Sequence, residues 1–221
     1  MEWGPLLLTL RLATVTTAVL LGVGIPLAWW LARTRSFLRP AVEALVSMPL
    51  VLPPSVLGFY LLVAFSPENA LGSFLRDTLG LQLVFSFPGL VLASVVYSLP
   101  FMVHPVLAGM RALPPELLEA SFSLGKSPLT TLWRVVLPSI RNSLRAAAVL
   151  TFAHTIGEFG VVLMIGGNIE GQTRVASIAV YDEVEALHYA QAHQYALVLF
   201  VFSFVLLCLL YFWNQKPGRP F

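Results

Sequence analysis

Charge is what this 221-residue sequence has least of: 13 Lys and Arg against 11 Asp and Glu, or 11% of the chain. Soluble domains carry about 25%. With 57% hydrophobic residues and a mean hydropathy of +0.82, the shortage excludes an ordinary water-soluble domain and points to a membrane protein. The net charge of +2 is too small to mark a nucleic-acid partner. Cysteine is nearly missing too. Cys208 stands alone in an apolar run, which excludes a disulfide framework and a Cys-based metal site. There is no Walker motif, nucleophile elbow or zinc signature, so the sequence offers no catalytic residue, no metal ligands and no cofactor site. Any ATP chemistry belongs to another chain. The start, Met1-Glu2-Trp3, lacks a basic region, and no small-x-small cleavage site follows its apolar run. It reads as a first span rather than a signal peptide.

What is present is apolar length. A membrane-crossing helix needs about 20 apolar residues. Five stretches qualify: Leu12–Leu31, Ala44–Phe65, Phe85–Val103, Ala146–Ile165 and Tyr195–Trp213. The second is interrupted by Pro49, Pro53 and Pro54, and the third contains Pro88 and Pro100. Val175–Tyr181 is too short to cross and fits a small interfacial helix. The expectation is a single all-α membrane domain over 1–221. No repeat, low-complexity tract or soluble domain is visible, and only Asn214–Phe221 follows the last span.

Lys and Arg set the orientation. Arg33, Arg35 and Arg39 lie after span one. Arg111, Lys126, Arg134, Arg141 and Arg145 lie between spans three and four, and Lys216 and Arg219 lie in the tail. The opposite side has Arg76 and Arg174, Arg11 near the start of span one, and most of the acids. The expected topology puts the N-terminus outside and the C-terminus inside. The connection at about 111–141 is then cytoplasmic.

That connection is less greasy than the spans it joins: "LLEASFSLGKSPLTTLWRVVLP", Leu117–Pro138. Its punctuation predicts two short helices. Pro114-Pro115 starts the first, with Glu116 and Glu119 early, where acids suit the helix dipole. Gly125 is a natural stop. Ser127 caps the second helix, Pro128 opens it, and Pro138 lies at or just past its end. Leu117, Leu118, Phe122 and Leu124, then Leu129, Leu132, Trp133 and Val136, recur at roughly helical spacing. On periodicity alone, docking to a partner protein and lying on lipid headgroups fit about equally.

The same stretch resembles the "EAA" loop of the permeases of ATP-binding-cassette importers. The resemblance rests on Glu119-Ala120-Ser121, Gly125 six residues after the Glu, Val135, and Leu137-Pro138. Ser121 for the second Ala and Val135 for the usual Ile are mild departures. In that family the loop forms the coupling helix seated in the ATPase. The resemblance assigns ATPase coupling to Glu119, Ala120, Ser121, Gly125, Leu137 and Pro138. Gly157–Glu185 and Met48–Leu62 are similar to the family's molybdate permeases, although sulfate and tungstate permeases share much of the pattern. The likeness runs from about Leu12 to Trp213. It implies a MetI-like bundle of about five spans in a bacterial or archaeal cytoplasmic (inner) membrane. It also implies a homodimer, two copies of an ATPase, and a periplasmic or extracellular molybdate-binding protein.

Within the spans, Pro49, Pro53 and Pro54 each remove a backbone donor. They fit either a bendable, path-lining helix or a static kink. Glu158 is the one acid deep in a span, and such groups are costly. A carboxylate repels an anion, so its expected role is structural. It would pair with His154 four residues earlier or with a neighbouring helix near the gate; a proton relay is the other reading. Basic residues are nearly absent from the span interiors. An anion path would therefore rest on hydroxyls and backbone N–H groups. Ser55, Ser94, Ser98, Thr151 and Thr155 are the candidates, against the common alternative that such residues bond their own backbone. Asp182, Glu183, Glu185, His188 and His193 lack compact metal spacing and read as solvated surface facing a partner protein.

Overall fold

The computed structural model describes residues 2–214, and Lys216 and Arg219 of the orientation argument lie outside them. Among the described residues the secondary structure is helical throughout. Helix α1 spans Gly4–Arg33 and extends well ahead of the expected first span. Pro5 sits in its first turn, where a missing N–H costs nothing. Helix α2 spans Arg39–Ser47 and runs into a tight turn at Met48–Leu50; α3 follows at Pro54–Phe65. The short α4, Ala70–Leu79, was not anticipated, and it ends on left-handed Gly80. Helix α5 is Phe87–Arg111. Ser86 caps it by accepting from the Gly89 N–H at 3.3 Å. Then come α6 (Pro115–Ser123), α7 (Pro128–Thr131), a π-helical turn (Leu132–Val136) and α8 (Leu137–Ser139). The chain finishes with α9 (Arg141–Ile156), α10 (Gly160–Gly166), α11 (Ala176–Glu185) and α12 (Tyr189–Asn214).

Helices α1, α5 and α12 are each long and apolar enough to cross a membrane. The expected spans two and four are bent pairs. Arg39–Leu50 meets Pro54–Phe65 at 111°, and Arg141–Ile156 meets Gly160–Gly166 at 60°. The physical cause of the first break is Pro53-Pro54. Neither residue can donate, and a residue before proline is pushed out of the helical region. Pro53 accordingly sits at φ −55°, ψ 136°. The second break is Gly157-Glu158-Phe159, where Phe159 takes φ −130°, ψ −68°.

The core lies where α5 and α9 pack on α1. Leu20, Ala28, Leu31, Met102, Val103, Val106, Ile140 and Ala147 are buried together there. A second cluster joins Leu12, Leu90, Val161, Ile165 and Ile178. Helix α11 is the predicted small helix, but its Ala176, Ile178 and Ala179 are packed inside the protein rather than laid on an interface. Helix α12 is apolar on all sides and largely uncovered, as lipid contact requires.

Helices α3 and α10 press together closely. A Cβ on Gly58 would stand 2.8 Å from the Met164 Cβ and 3.1 Å from the Val161 Cα. One neighbour there is backbone and cannot yield. Overpacking costs about 1–3 kcal/mol. Gly58→Val should therefore lower the unfolding midpoint of the detergent-solubilised protein by roughly 3–10 °C. An unchanged midpoint in a thermal scan would show that the seam is loose.

Candidate functional site

The two breaks face each other across a cavity of about 570 Å³. Pro54 and Ser55, at the start of α3, form one wall. Gly157, Glu158, Phe159 and Gly160 form another, and Tyr97, Ala153 and His154 complete it. No Lys or Arg lines this space. Its polar lining is hydroxyl, imidazole, backbone and the Glu158 carboxyl.

Glu158 stands at the wall but is 3% exposed. The Ser94 hydroxyl donates to its Oε2 at 2.5 Å and the Ser98 hydroxyl to its Oε1 at 2.6 Å. The two serines are one helical turn apart on α5, so both point the same way. Ser98 Oγ also lies 3.0 Å from Thr155 Oγ1, whose hydroxyl donates to the Thr151 carbonyl at 3.0 Å. From the other side, the Ser177 hydroxyl of α11 donates to the Glu158 carbonyl at 2.5 Å. One residue at a helix break thus ties together α5, α9 and α11.

The pairing of Glu158 with His154 is not formed. Helix α9 ends at Ile156, so Glu158 is no longer one turn above His154 on a shared face. The imidazole stacks on Phe101 at 3.9 Å between ring centres and lies 5.0 Å from the Tyr97 ring. The neighbouring-helix alternative describes what Glu158 does. Of the hydroxyl candidates, Ser55 lines the cavity, while Ser94, Ser98, Thr151 and Thr155 are buried between α5 and α9. Pro49 is buried within the tight turn and Pro53 sits in the break.

The second candidate surface is the loop after α5. Gly125, at φ +71°, closes α6. Its N–H bonds the Phe122 carbonyl at 2.9 Å, and the Lys126 N–H reaches the Ser121 carbonyl at 3.2 Å. That paired pattern is a Schellman stop. Ser127 then caps α7 by accepting from the Thr130 N–H at 3.2 Å. The buried Ser121 and Thr131 hydroxyls meet at 2.8 Å and fix the two helices against each other. The helical path does not stop at Pro138. It widens into the π turn, where the Leu137 N–H bonds the Leu132 carbonyl, and carries the proline into α8. Leu137 is buried; Glu119, Ala120 and Pro138 are exposed. Leu117, Ala120, Ser121, Leu124, Thr130 and Val135 edge a groove of about 260 Å³ beside Lys126 and Arg134. Leu124, Leu129 and Trp133 project into solvent. Exposed leucine and tryptophan flanking a groove fit contact with a partner protein or with lipid headgroups.

This face is linked to the spans. The Arg33 guanidinium at the end of α1 lies 4.6 Å from the Trp29 ring centre and 4.8 Å from that of Phe122 on α6. Nearby, Glu43 of α2 pairs with Arg39 at 2.9 Å and with Arg111 at the end of α5. On the acidic segment, Asp182 pairs with Arg174 at 3.0 Å and Glu183 lies 3.1 Å from the His188 ring. The Tyr181 hydroxyl donates to Glu185 at 2.5 Å, and that bond holds the phenol above its ordinary pKa range. Among the described residues, no three His, Cys, Asp or Glu groups come together as a metal site.

Residues 24–216 match the family described as "Binding-protein-dependent transport system inner membrane component". The chain belongs to this family. As an inner membrane component it has relatives along nearly its whole length. It is 53% identical over 205 residues to the "Molybdenum transport system permease protein ModB" of Azotobacter vinelandii, covering 92% of this chain and 90% of that one. It is 34% identical to the "Sulfate transport system permease protein CysT" of Synechococcus elongatus, covering 88% and 70%. In fold this inner membrane component is similar to a chain of a bacterial ABC transporter involved in alginate import (TM-score 0.74, 16% identity, 99% and 82% covered). It is likewise similar to a chain of the MetNI methionine ABC transporter (TM-score 0.69, 18% identity, 93% and 91% covered). It is therefore a multi-pass membrane protein with a MetI-like permease fold.

Sequence reasoning missed two features of this inner membrane component. Arg33 entered the sequence argument only as a count of positive charge, and the ring of Phe122 that receives it is far away in sequence. The second break, Gly157–Gly160, was passed over, although a glycine on each side of Glu158-Phe159 is a local signal for it.

Proposed function

We propose that this chain is the membrane-spanning subunit of an ATP-binding-cassette importer for molybdate. A separate ATPase, in two copies, drives it; an extracytoplasmic binding protein supplies it; and two copies of the chain enclose the path. In this reading the loop holding Glu119, Ala120, Ser121, Gly125, Leu137 and Pro138 faces the cytoplasm and seats in the ATPase. The N-terminus lies outside, and the chain itself hydrolyses nothing. Pro54, Ser55 and Glu158 border the path, and Pro49, Pro53, Ser94, Ser98, Thr151 and Thr155 form the wall and gate behind them. The observation that carries the reading is the rigid docking face: two capped helices around Gly125 that present Leu124, Leu129 and Trp133 beside a groove. The 53% identity to a molybdenum permease supports molybdate over sulfate, since the sulfate relative stands at 34%.

The cavity suits weak passage rather than tight capture, because it holds no fixed cation to trap a dianion. Selectivity then resides in the delivering protein. The test uses vesicles containing this chain with its ATPase and the binding protein. Molybdate uptake should require ATP and all three components. Tungstate should compete at close to equal concentration and sulfate at more than about a tenfold excess. Flux through this chain alone would replace the importer with a self-sufficient channel or carrier. Equal competition by sulfate would replace molybdate as the substrate.

A further inference from the structure

A carboxylate at the wall of an anion-conducting cavity poses an electrostatic problem. Glu158 would repel a dianion, and no Lys or Arg in the cavity offsets it. The hydrogen bonds answer it. Each carboxylate oxygen accepts from a different serine, at 2.5 and 2.6 Å, and both donors come from α5, which turns the group into protein. The remaining exposure is 3%. Hydroxyl dipoles aimed at a carboxylate oppose its field beyond them, and charge-assisted bonds of this length are strong. The break also confines the carboxylate, because its own carbonyl is held by Ser177 at 2.5 Å. The cavity is left with Ser55, Tyr97 and His154 as its other polar side chains.

We propose that Ser94 and Ser98 are positioning residues for anion transport: they hold the Glu158 carboxylate against α5 and away from the oxyanion crossing the adjacent cavity. They act on the substrate through Glu158 rather than by touching it. The proposal rests on the anion-importer reading. It differs from a purely structural role in one respect: the harm done by losing the serines is carried by the charge of Glu158. Removing that charge should therefore undo it.

The experiment measures ATP-driven molybdate uptake per assembled transporter in vesicles. It compares wild type, Ser94→Ala/Ser98→Ala, and Ser94→Ala/Ser98→Ala/Glu158→Gln. Assembly is counted from the ATPase that co-purifies. The double variant should fall at least tenfold, mainly as a lowered maximal rate at little-changed KM for molybdate, and the triple variant should recover more than half of wild-type uptake. Wild-type uptake in the double variant would overturn the proposal. So would a triple variant that assembles yet stays as poor as the double. If the double variant does not assemble, the single variants Ser94→Ala and Ser98→Ala take its place, each with and without Glu158→Gln, under the same criteria. A wild-type complex that carries none of molybdate, tungstate or sulfate overturns the importer reading, and this proposal with it.

Discussion

Glu158→Ala should leave less than about a tenth of wild-type molybdate uptake, while Glu158→Gln keeps the larger share. Alanine removes the acceptors of two buried hydroxyls at once. Ser98 can turn to Thr155, but Ser94 is stranded, and a stranded buried donor costs about 1–3 kcal/mol. The cost falls where α5, α9 and α11 are tied through Glu158, so the break itself loosens. Glutamine has nearly the same shape and keeps one carbonyl oxygen. Its amide group can donate to the second serine, which accepts in turn. The measurement is initial uptake per assembled transporter. Equal loss in the two variants would mean that the charge of Glu158, and not its hydrogen bonding, is what transport needs.

The docking face should be similarly intolerant. Ala120→Trp fills the groove that Leu117, Leu124 and Val135 edge. A blocked contact at the centre of an interface costs about 2 kcal/mol or more. The expected result is a chain that still inserts in the membrane, retains little co-purifying ATPase, and loses at least tenfold in uptake. At Gly125 the mechanism differs. A side chain there would meet open space, so the penalty comes from φ +71° alone. Left-handed backbone costs most residues about 1–2 kcal/mol, less for aspartate. Gly125→Val should therefore damage coupling more than Gly125→Asp through the backbone. If aspartate proves worse, its charge on the docking face is the cause. Normal co-purification of the ATPase with either Ala120→Trp or Gly125→Val would remove this loop from the interface.

Local features of the chain were legible in the sequence. Pro115, Gly125, Ser127 and Pro128 act on their own few residues, and the helix-stop-helix they predict is what forms. Composition made the long helices α1, α5 and α12 equally plain. Pro53-Pro54 announced an interruption, but not a 111° turn, because a bend angle is set by what the two halves pack against. The site was harder. His154 and Glu158 have the spacing of helical neighbours, yet the helix stops between them. The partners of Glu158 lie 64 and 60 residues away in sequence. Spacing along a single chain cannot reveal a pair that only tertiary packing brings together. Ser94 and Ser98 were visible as unusual hydroxyls in an apolar run, but not as a matched pair of donors.

The Arg33 stack gives helix α1 the properties of a lever. At one end, the guanidinium between Trp29 and Phe122 joins α1 to α6. At the other end, the Thr9 hydroxyl oxygen accepts from the Ala176 N–H at 2.8 Å and joins it to α11. Between them Ala13, Thr16, Leu20, Ala28 and Leu31 are fully buried and hold the shaft. Thirty residues span about 45 Å, with Pro26 as the one interior position that cannot donate to the helix ladder. A helix tied to α6 at one end and to α11 at the other cannot shift at one end without bearing on the contacts at the other.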